Sequence, residues 1–237
     1  MERLNTTRTE VAIDKWPLSS PPGTIWLCVG EAGSGKTELA LNLALALRQQ
    51  TTGQVHLFDM DSTKAAFRSR DFRQMLTAEG VSVHMNTAML DSPIVPDGLP
   101  EAMADELGQT VLDVGGNLAG TLCLGQFTEK LQSHRTVVMY LFNPYRALGR
   151  SGEELRRIQK SILNTIGVQH HILVVNPTMG EESDAENWQY GIEQVSKYFP
   201  EEKVALALAP RGMEIPVTDY PVFGIQPRIP TILTRKE

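Results

Sequence analysis

Cysteine is nearly absent from the chain. Only Cys28 and Cys123 occur among 237 residues, too few for a disulfide-built scaffold or a four-thiolate zinc site. No run of about 18 apolar residues exists, so the sequence contains no membrane-spanning helix. Met1 to Asp14 mixes charged and polar residues and lacks the apolar segment of a secretory signal; the expected location is the reducing cytoplasm. Charge of one sign scarcely dominates either. Against 28 Asp and Glu stand 22 Lys and Arg, a net −6, which argues against broad attraction to nucleic acid or membranes but leaves room for a local basic patch. Internal repeats and low-complexity segments are missing. What remains is an ordinary globular composition, 41% hydrophobic and 21% charged, long enough to bury a sizeable core. The arrangement expected is an arm over residues 1–23, containing Trp16-Pro17 and Pro21-Pro22-Gly23, followed by one domain over 24–237.

From Thr24 the pattern alternates between two periodicities. Thr24 to Val29 is a continuous apolar run, as in a strand buried on both faces. Thr37 to Gln49 is rich in Leu and Ala on every side, as in a helix packed into a sheet. Further strands are expected at Val55 to Phe58, Val81 to Val83, Val111-Leu112, Thr136 to Phe142, His171 to Val175 and, last, Val204 to Leu208. Helices are expected at Lys64 to Ala78, Leu118 to Leu131 and Ser151 to Ile166, the last opened by a Ser151/Glu154 capping box and closed by Gly167. Ser183 and Glu186 suggest a second capping box before Trp188, Ile192, Val195 and Phe199. Residues 86–100, with Pro93, Pro96 and Pro100, read as an irregular connector or lid, and the Pro-rich tail as a surface wrap. Strands alternating with helices imply an α/β fold of three layers, with a mostly parallel central sheet and helices on both faces. In such sheets ligands bind where the strands end, so the residues closing each strand carry the functional argument.

The first strand closes on Gly30-Glu31-Ala32-Gly33-Ser34-Gly35-Lys36-Thr37, which matches the phosphate-loop pattern G-x-x-x-x-G-K-[ST]. Gly30, Gly33 and Gly35 allow the backbone angles and close approach that let main-chain amides, including that of Ser34, surround a phosphate at a helix amino end. Lys36 brings a positive charge to the outer phosphates, and Thr37 offers a hydroxyl to Mg²⁺. Asp113 closes a later strand and begins Asp113-Val114-Gly115-Gly116: its carboxylate suits Mg²⁺, and the Gly116 amide suits sensing of a terminal phosphate. Asp59 and Asp61 close the second strand beside the loop; Asp59 is placed to orient a water molecule, whereas Asp61 also reads as the cap of the next helix. Asn176, at the end of a late strand, is a candidate for contact with the nucleotide base.

Together these residues resemble the MinD/ParA group of P-loop ATPases. That group belongs to the wider SIMIBI class, with the nitrogenase iron protein, the arsenite-pump ATPase and the nickel-insertion GTPases. The phosphate loop, the acidic pair Asp59 and Asp61, the D-x-x-G of Asp113 to Gly116, Asn176, and Glu214-Ile215-Pro216 as an Ile-Pro turn near the base follow in the family's order over residues 24–220. The resemblance implies an ATPase that binds ATP and Mg²⁺, switches a protein partner and forms a homodimer, with Lys36, Asp59 and Asp113 in the catalytic roles. One position departs from it. Glu31 stands where the family carries a second lysine that reaches the partner subunit's nucleotide, and an acidic residue cannot supply that charge. A nucleotide-sensing adaptor with little hydrolysis is therefore one alternative. A metallochaperone-type GTPase is another, but Asn176-Pro177-Thr178-Met179 lacks the aspartate of the guanine element N-K-x-D.

Other signals have simpler readings. Lys64, Arg68, Arg70 and Arg73, and Arg146, Arg150, Arg156, Arg157 and Lys160, are basic groups suited to DNA or an acidic partner but equally to solvated helix faces, and no interleaved aromatics argue for base stacking. Cys28 reads as core, Cys123 as a cluster-ligand candidate on the helix after the D-x-x-G, and His170-His171 as unsuited to a metal pair because neighbours on a strand face opposite ways.

Overall fold

A computed structural model describes residues 20–60, 73–85, 95–116, 121–147 and 149–226. Eight strands form one sheet in the order β3-β2-β4-β1-β5-β6-β7-β8, with every pairing parallel. They are β1 (Ile25–Gly30), β2 (Val55–Asp59), β3 (Val81–Met85), β4 (Gln109–Asp113), β5 (Thr136–Phe142), β6 (Ile172–Val175), β7 (Val204–Pro210) and β8 (Val222–Ile225). The helices are α1 (Lys36–Gln50), α2 (Leu99–Ala104), α3 (Thr128–Leu131), α4 (Gly152–Ile166), α5 (Ala185–Glu193) and α6 (Val195–Tyr198). A helical stretch at 73–78 precedes β3.

The sheet is covered on both sides, and β1 shows how. Ile25, Leu27 and Val29 enter one core with Leu99 and Met103 of α2, Leu131 of α3, Leu155 and Leu163 of α4 and Val195 of α6. Trp26 and Cys28 enter the opposite core with Leu39, Leu43 and Leu47 of α1 and Leu76 of the 73–78 stretch. Alternate residues of a strand face opposite ways, so a continuous apolar run is the pattern for a strand sandwiched between helix layers. α1 is apolar nearly all round because the sheet and its neighbours enclose it. A smaller cluster lies under α5, where Trp188 packs on Ala207, Ala209 and Val222 and donates its indole N–H to the Leu208 carbonyl at 2.7 Å.

Several expectations shift. The tail does not merely wrap the surface after β7: β8 adds an eighth strand, and all four of its residues are buried. Asn42 of α1 fastens its end, donating to the Gln226 carbonyl at 3.1 Å and accepting from the Gln226 amide at 2.9 Å. The connector ahead of β4 contains α2, opened by Gly98, with Pro100 tolerated in a first turn whose amides lack helical partners. The expected helix from Leu118 to Leu131 is broken: a tight turn at Gly125–Phe127 separates 121–122 from α3, consistent with the low helix propensity of Gly125. α4 starts as expected, with Ser151 Oγ accepting from the Glu154 amide at 3.1 Å. α5 is capped one residue later than expected, by Asp184 Oδ1 accepting from the Asn187 amide at 2.7 Å, because Ser183 Oγ is engaged by Met179 and Gly180 in the preceding turn. The arm up to residue 19, Asp61, Lys64, Arg68 and Arg70, and residues 86–94 of the connector lie outside the described residues. Among the described residues no helix is long and apolar enough to cross a membrane.

Replacing Leu43→Ala, at a fully buried position of α1, is expected to cost roughly 2–5 kcal/mol of stability. Urea unfolding checks this: the midpoint falls while the slope is unchanged.

Candidate functional site

In sheet order β1 is flanked by β4 and β5, yet the chain visits β2 and β3 before it returns to β4. Strand order therefore reverses beside β1, and the crevice at its carboxyl end is where ligands of such sheets sit. The phosphate loop occupies that position. β1 ends at Gly30, and α1 begins at Lys36 directly after Gly35, whose φ of 99° is left-handed. The Glu31 carbonyl accepts from the Ser34 amide at 3.3 Å and from Lys36 Nζ at 2.7 Å, so the lysine lies back across its own loop. Ser34 is 3% exposed, and its Oγ has no hydrogen-bond partner among the described residues.

Asn176, immediately after β6, reaches this loop. Its Nδ2 donates to the Ser34 carbonyl at 3.0 Å, and its Oδ1 accepts from Thr178 Oγ1 at 2.8 Å. A Cβ at Gly35 would stand 2.2 Å from Asn176 Nδ2, so a glycine there serves both the left-handed turn and the approach of the amide. The side chain singled out in the sequence for base contact is thus engaged in bracing the loop. Sequence position marked Asn176 as important but gave no signal for this contact, which spans 142 residues.

The two strand-closing acids come together. Asp59 and Asp113 are register partners across β2 and β4, and Asp113 is also the register partner of Cys28 on β1. Both are buried, at 5% and 3% exposure, and buried carboxylates are stable only near compensating charge or metal. Lys36 is such a charge. Burial pushes the Cys28 thiol well up, the Asp113 carboxylate adds to that rise, and Lys36 opposes it, so acid and ammonium act on the same spot beneath the loop. Gly116 closes the D-x-x-G against the phosphate loop itself: a Cβ there would meet the Ala32 nitrogen at 2.6 Å. Gly30, Gly33, Ser34, Gly35, Lys36, Thr37, Asp59, Asp113, Gly116 and Asn176 therefore gather on the carboxyl ends of β1, β2, β4 and β6.

This donor set fits magnesium. Thr37, half-buried in the first turn of α1, and the buried Asp113 carboxylate offer hard oxygen ligands, with Asp59 the register neighbour of Asp113. Mg²⁺ typically takes one or two protein oxygens and completes its shell with water and phosphate. Among the described residues no cluster of three or more His, Cys, Asp or Glu side chains is arranged for a self-sufficient metal cage.

A cavity of about 120 Å³ opens on the β5 side of the loop, lined by Glu31, Ala32, Ser34, Asn143, Arg146 and Arg150 among others. Arg150 Nη1 meets Glu31 Oε1 at 2.7 Å and its Nε meets Glu154 at 3.1 Å. The hydrogen bond to Glu31 raises the affinity of the guanidinium for its proton. Side chains 26% and 28% exposed are still screened by water, so this pair is worth about 1 kcal/mol or less. Arg146 borders Gly33, where a Cβ would stand 3.5 Å from Arg146 Nε. The sequence suggested only a solvated basic face for these arginines; the long-range pairing of Glu31 with Arg150 has no local signature.

The remaining candidates have structural places. Cys28 and Cys123 are both buried in the cores. His171 pairs with Glu202 at 2.9 Å, away from the loop at the start of β6. Arg156 donates to the Tyr198 carbonyl. Ile215 of the expected Ile-Pro turn packs on the Trp188 cluster.

This architecture is similar to that of cell division protein FtsY from Thermotoga maritima, with 16% identity and a TM-score of 0.54, covering 80% of this chain and 63% of that one. It is likewise similar to chloroplast FtsY from Physcomitrella patens, with 14% identity and a TM-score of 0.54, covering 83% and 62%. The chain thus spans less than two thirds of these FtsY chains. A putative plasmid partition protein from Borrelia burgdorferi B31, bound to AMPPNP, superposes more loosely, with 13% identity, a TM-score of 0.47 and coverage of 82% and 89%. No protein-family model matches the sequence, and no curated protein matches it significantly. At these identities the likeness establishes the fold: the three-layer α/β fold of P-loop nucleoside triphosphatases.

Asn176→Ala would strip the Ser34 carbonyl of its donor in a buried setting, at a cost of roughly 1–3 kcal/mol. A lower melting temperature checks the contact, and Asn176→Asp, which cannot donate, is expected to lower it as well.

Proposed function

We propose that the chain is a Mg²⁺-dependent nucleoside triphosphatase, preferring ATP, whose bound nucleotide switches its interaction with a protein partner. The observation that carries this reading is the convergence of Lys36, Asp113 and Gly116 on one glycine-rich loop at the amino end of α1. The 15-residue helix and the loop amides favour an anion there. Lys36 would exchange the Glu31 carbonyl for the outer phosphates. Thr37 and Asp113 would hold Mg²⁺, which neutralises phosphate charge when bound. Asp59, the register neighbour of Asp113, would accept a hydrogen bond from the attacking water and orient it.

Gly116 supports the switch reading. Because its backbone lies against Ala32, a terminal phosphate at the loop and the segment after β4 cannot be arranged independently. The preference for ATP rests on Asn176-Pro177-Thr178-Met179, which offers no carboxylate to the guanine edge. A second reading, a nucleotide sensor with slow turnover, is favoured by Glu31, which is paired with Arg150 where the MinD/ParA group has a catalytic lysine. The partner, and the homodimer implied by the same resemblance, are part of this proposal.

Lys36→Ala is expected to weaken ATP binding at least 100-fold in equilibrium titrations with a fluorescent analogue. Asp113→Asn should keep nucleotide binding within about tenfold but lower Mg²⁺-dependent phosphate release 100-fold or more, the scale of a lost charge-stabilising group. Unlabelled ATP should displace the analogue better than GTP. Unchanged affinity in Lys36→Ala would rule out this site.

A further inference from the structure

Glu31 and Arg150 are 119 positions apart in sequence and meet at 2.7 Å on the rim of the phosphate loop. Arg146 lies against the same loop at Gly33. Both arginines line the cavity whose loop wall is Glu31, Ala32 and Ser34. Ser34 adds an independent sign of a missing ligand: it is 3% exposed, lines this cavity, and its Oγ has no hydrogen-bond partner among the described residues. A buried hydroxyl without a partner is uncommon in native proteins, and a bound ion or water is one explanation of such a group.

The charges around the cavity are the guanidiniums of Arg146 and Arg150 and the Glu31 carboxylate, with Glu154 holding the opposite side of Arg150 from the first turn of α4. A guanidinium presents a planar fork of donors that matches a phosphate in a bidentate manner. In Arg150 that fork is now shared, Nη1 meeting Glu31 and Nε meeting Glu154. Because the pair with Glu31 remains about a quarter exposed, a more highly charged oxyanion arriving at the loop can replace that carboxylate.

We propose that Arg150, seconded by Arg146, contacts the terminal phosphate of the bound nucleotide from within the same chain, and that Glu31 holds Arg150 in waiting and competes with that phosphate for it. This rests on the phosphate-loop reading above and deepens it: the pair makes the site distinguish a nucleoside triphosphate from a diphosphate. Positive charge at the loop rim is then supplied from the β5–α4 connection, at the place where the MinD/ParA resemblance leaves an acidic residue. On this proposal Arg150 would discriminate because it would contact the outermost phosphate, which a diphosphate lacks.

The test is the ratio of ATP to ADP affinity, measured by titration with each unlabelled nucleotide against a fluorescent analogue on the full chain. Arg150→Ala is expected to weaken ATP about tenfold or more and ADP by no more than threefold, and Arg150→Lys to restore part of the ATP loss. Glu31→Gln, which removes the competing charge but keeps the side-chain size, is expected to tighten ATP severalfold with ADP unchanged. A merely structural role for Arg150 would weaken both nucleotides in parallel. Parallel losses in Arg150→Ala, or an unchanged ATP affinity in Glu31→Gln, overturn the proposal while leaving the phosphate site standing, provided Lys36→Ala still abolishes binding. If Lys36→Ala retains full affinity, the phosphate-site reading falls and this proposal with it. Should Arg150→Ala fail to fold, as judged by circular dichroism, the Glu31→Gln ratio alone decides.

Discussion

Asn176 reaches from the end of β6 to the Ser34 carbonyl at 3.0 Å, through the space that a side chain at Gly35 would fill. A phosphate loop is a backbone structure: its function lies in which way consecutive amides point, and amides turn with the peptide planes that carry them. The neighbouring carbonyls must then point outward and find donors, or the buried loop carries unsatisfied acceptors. Asn176 supplies one such donor and Lys36, at the Glu31 carbonyl, another. The Asn176 contact can persist when an anion arrives, whereas Lys36 holds the Glu31 carbonyl only until a phosphate would draw it away. Gly35, the start of α1 and the direction of Lys36 all depend on that anchoring.

The sheet makes such anchoring possible because it is rigid. β1 lies between β4 and β5 with apolar layers on both sides, so the ends of four strands are fixed relative to one another by packed side chains. The two carboxylates are a consequence. Asp59 and Asp113 are adjacent through register, not through any flexible reach, and two adjacent buried carboxyl groups favour positive charge nearby; Lys36 and Asp113 both act on the same thiol, Cys28. That spot lies beneath the loop, where hard oxygen donors and phosphate can share a magnesium ion.

Much of this was legible in the sequence because it is local. The phosphate loop is a contiguous pattern, β1 and β5 are unbroken apolar runs, and α4 carries its own cap at Ser151 and stop at Gly167. What escaped the sequence is what depends on distant partners. β8 is four residues long, includes Gly224 and follows Pro221, so its propensity is poor; pairing with β7 and the hold of Asn42 on Gln226 make it a strand. The capping of α5 went to Asp184 because Ser183 had a competing turn to serve. Asn176 was marked by its position at a strand end, but its contact with Ser34, like that of Arg150 with Glu31, joins segments more than 100 residues apart. No local period encodes such pairs. The acidic residue in the loop was visible, and its counter-ion was not.

The loop is consequently touched from three directions. Gly116 abuts it from the end of β4, Arg146 and Arg150 border it from the segment after β5, and Asn176 holds it from β6. These contacts differ in how they respond to charge. The Asn176 contact is buried and neutral, so it is insensitive to what the loop binds. The Glu31 and Arg150 contact is ionic and partly solvated, worth about 1 kcal/mol or less, so an added phosphate charge competes with it directly. Gly116 has no side chain and responds to the position of the Ala32 backbone alone. A charged ligand at the loop would therefore meet one neutral brace, one ionic contact that competes with it and one backbone contact. The proposed switch would need contacts that differ between two states; the contact that answers to charge lies on the β5 side, while the β6 side keeps the loop in shape.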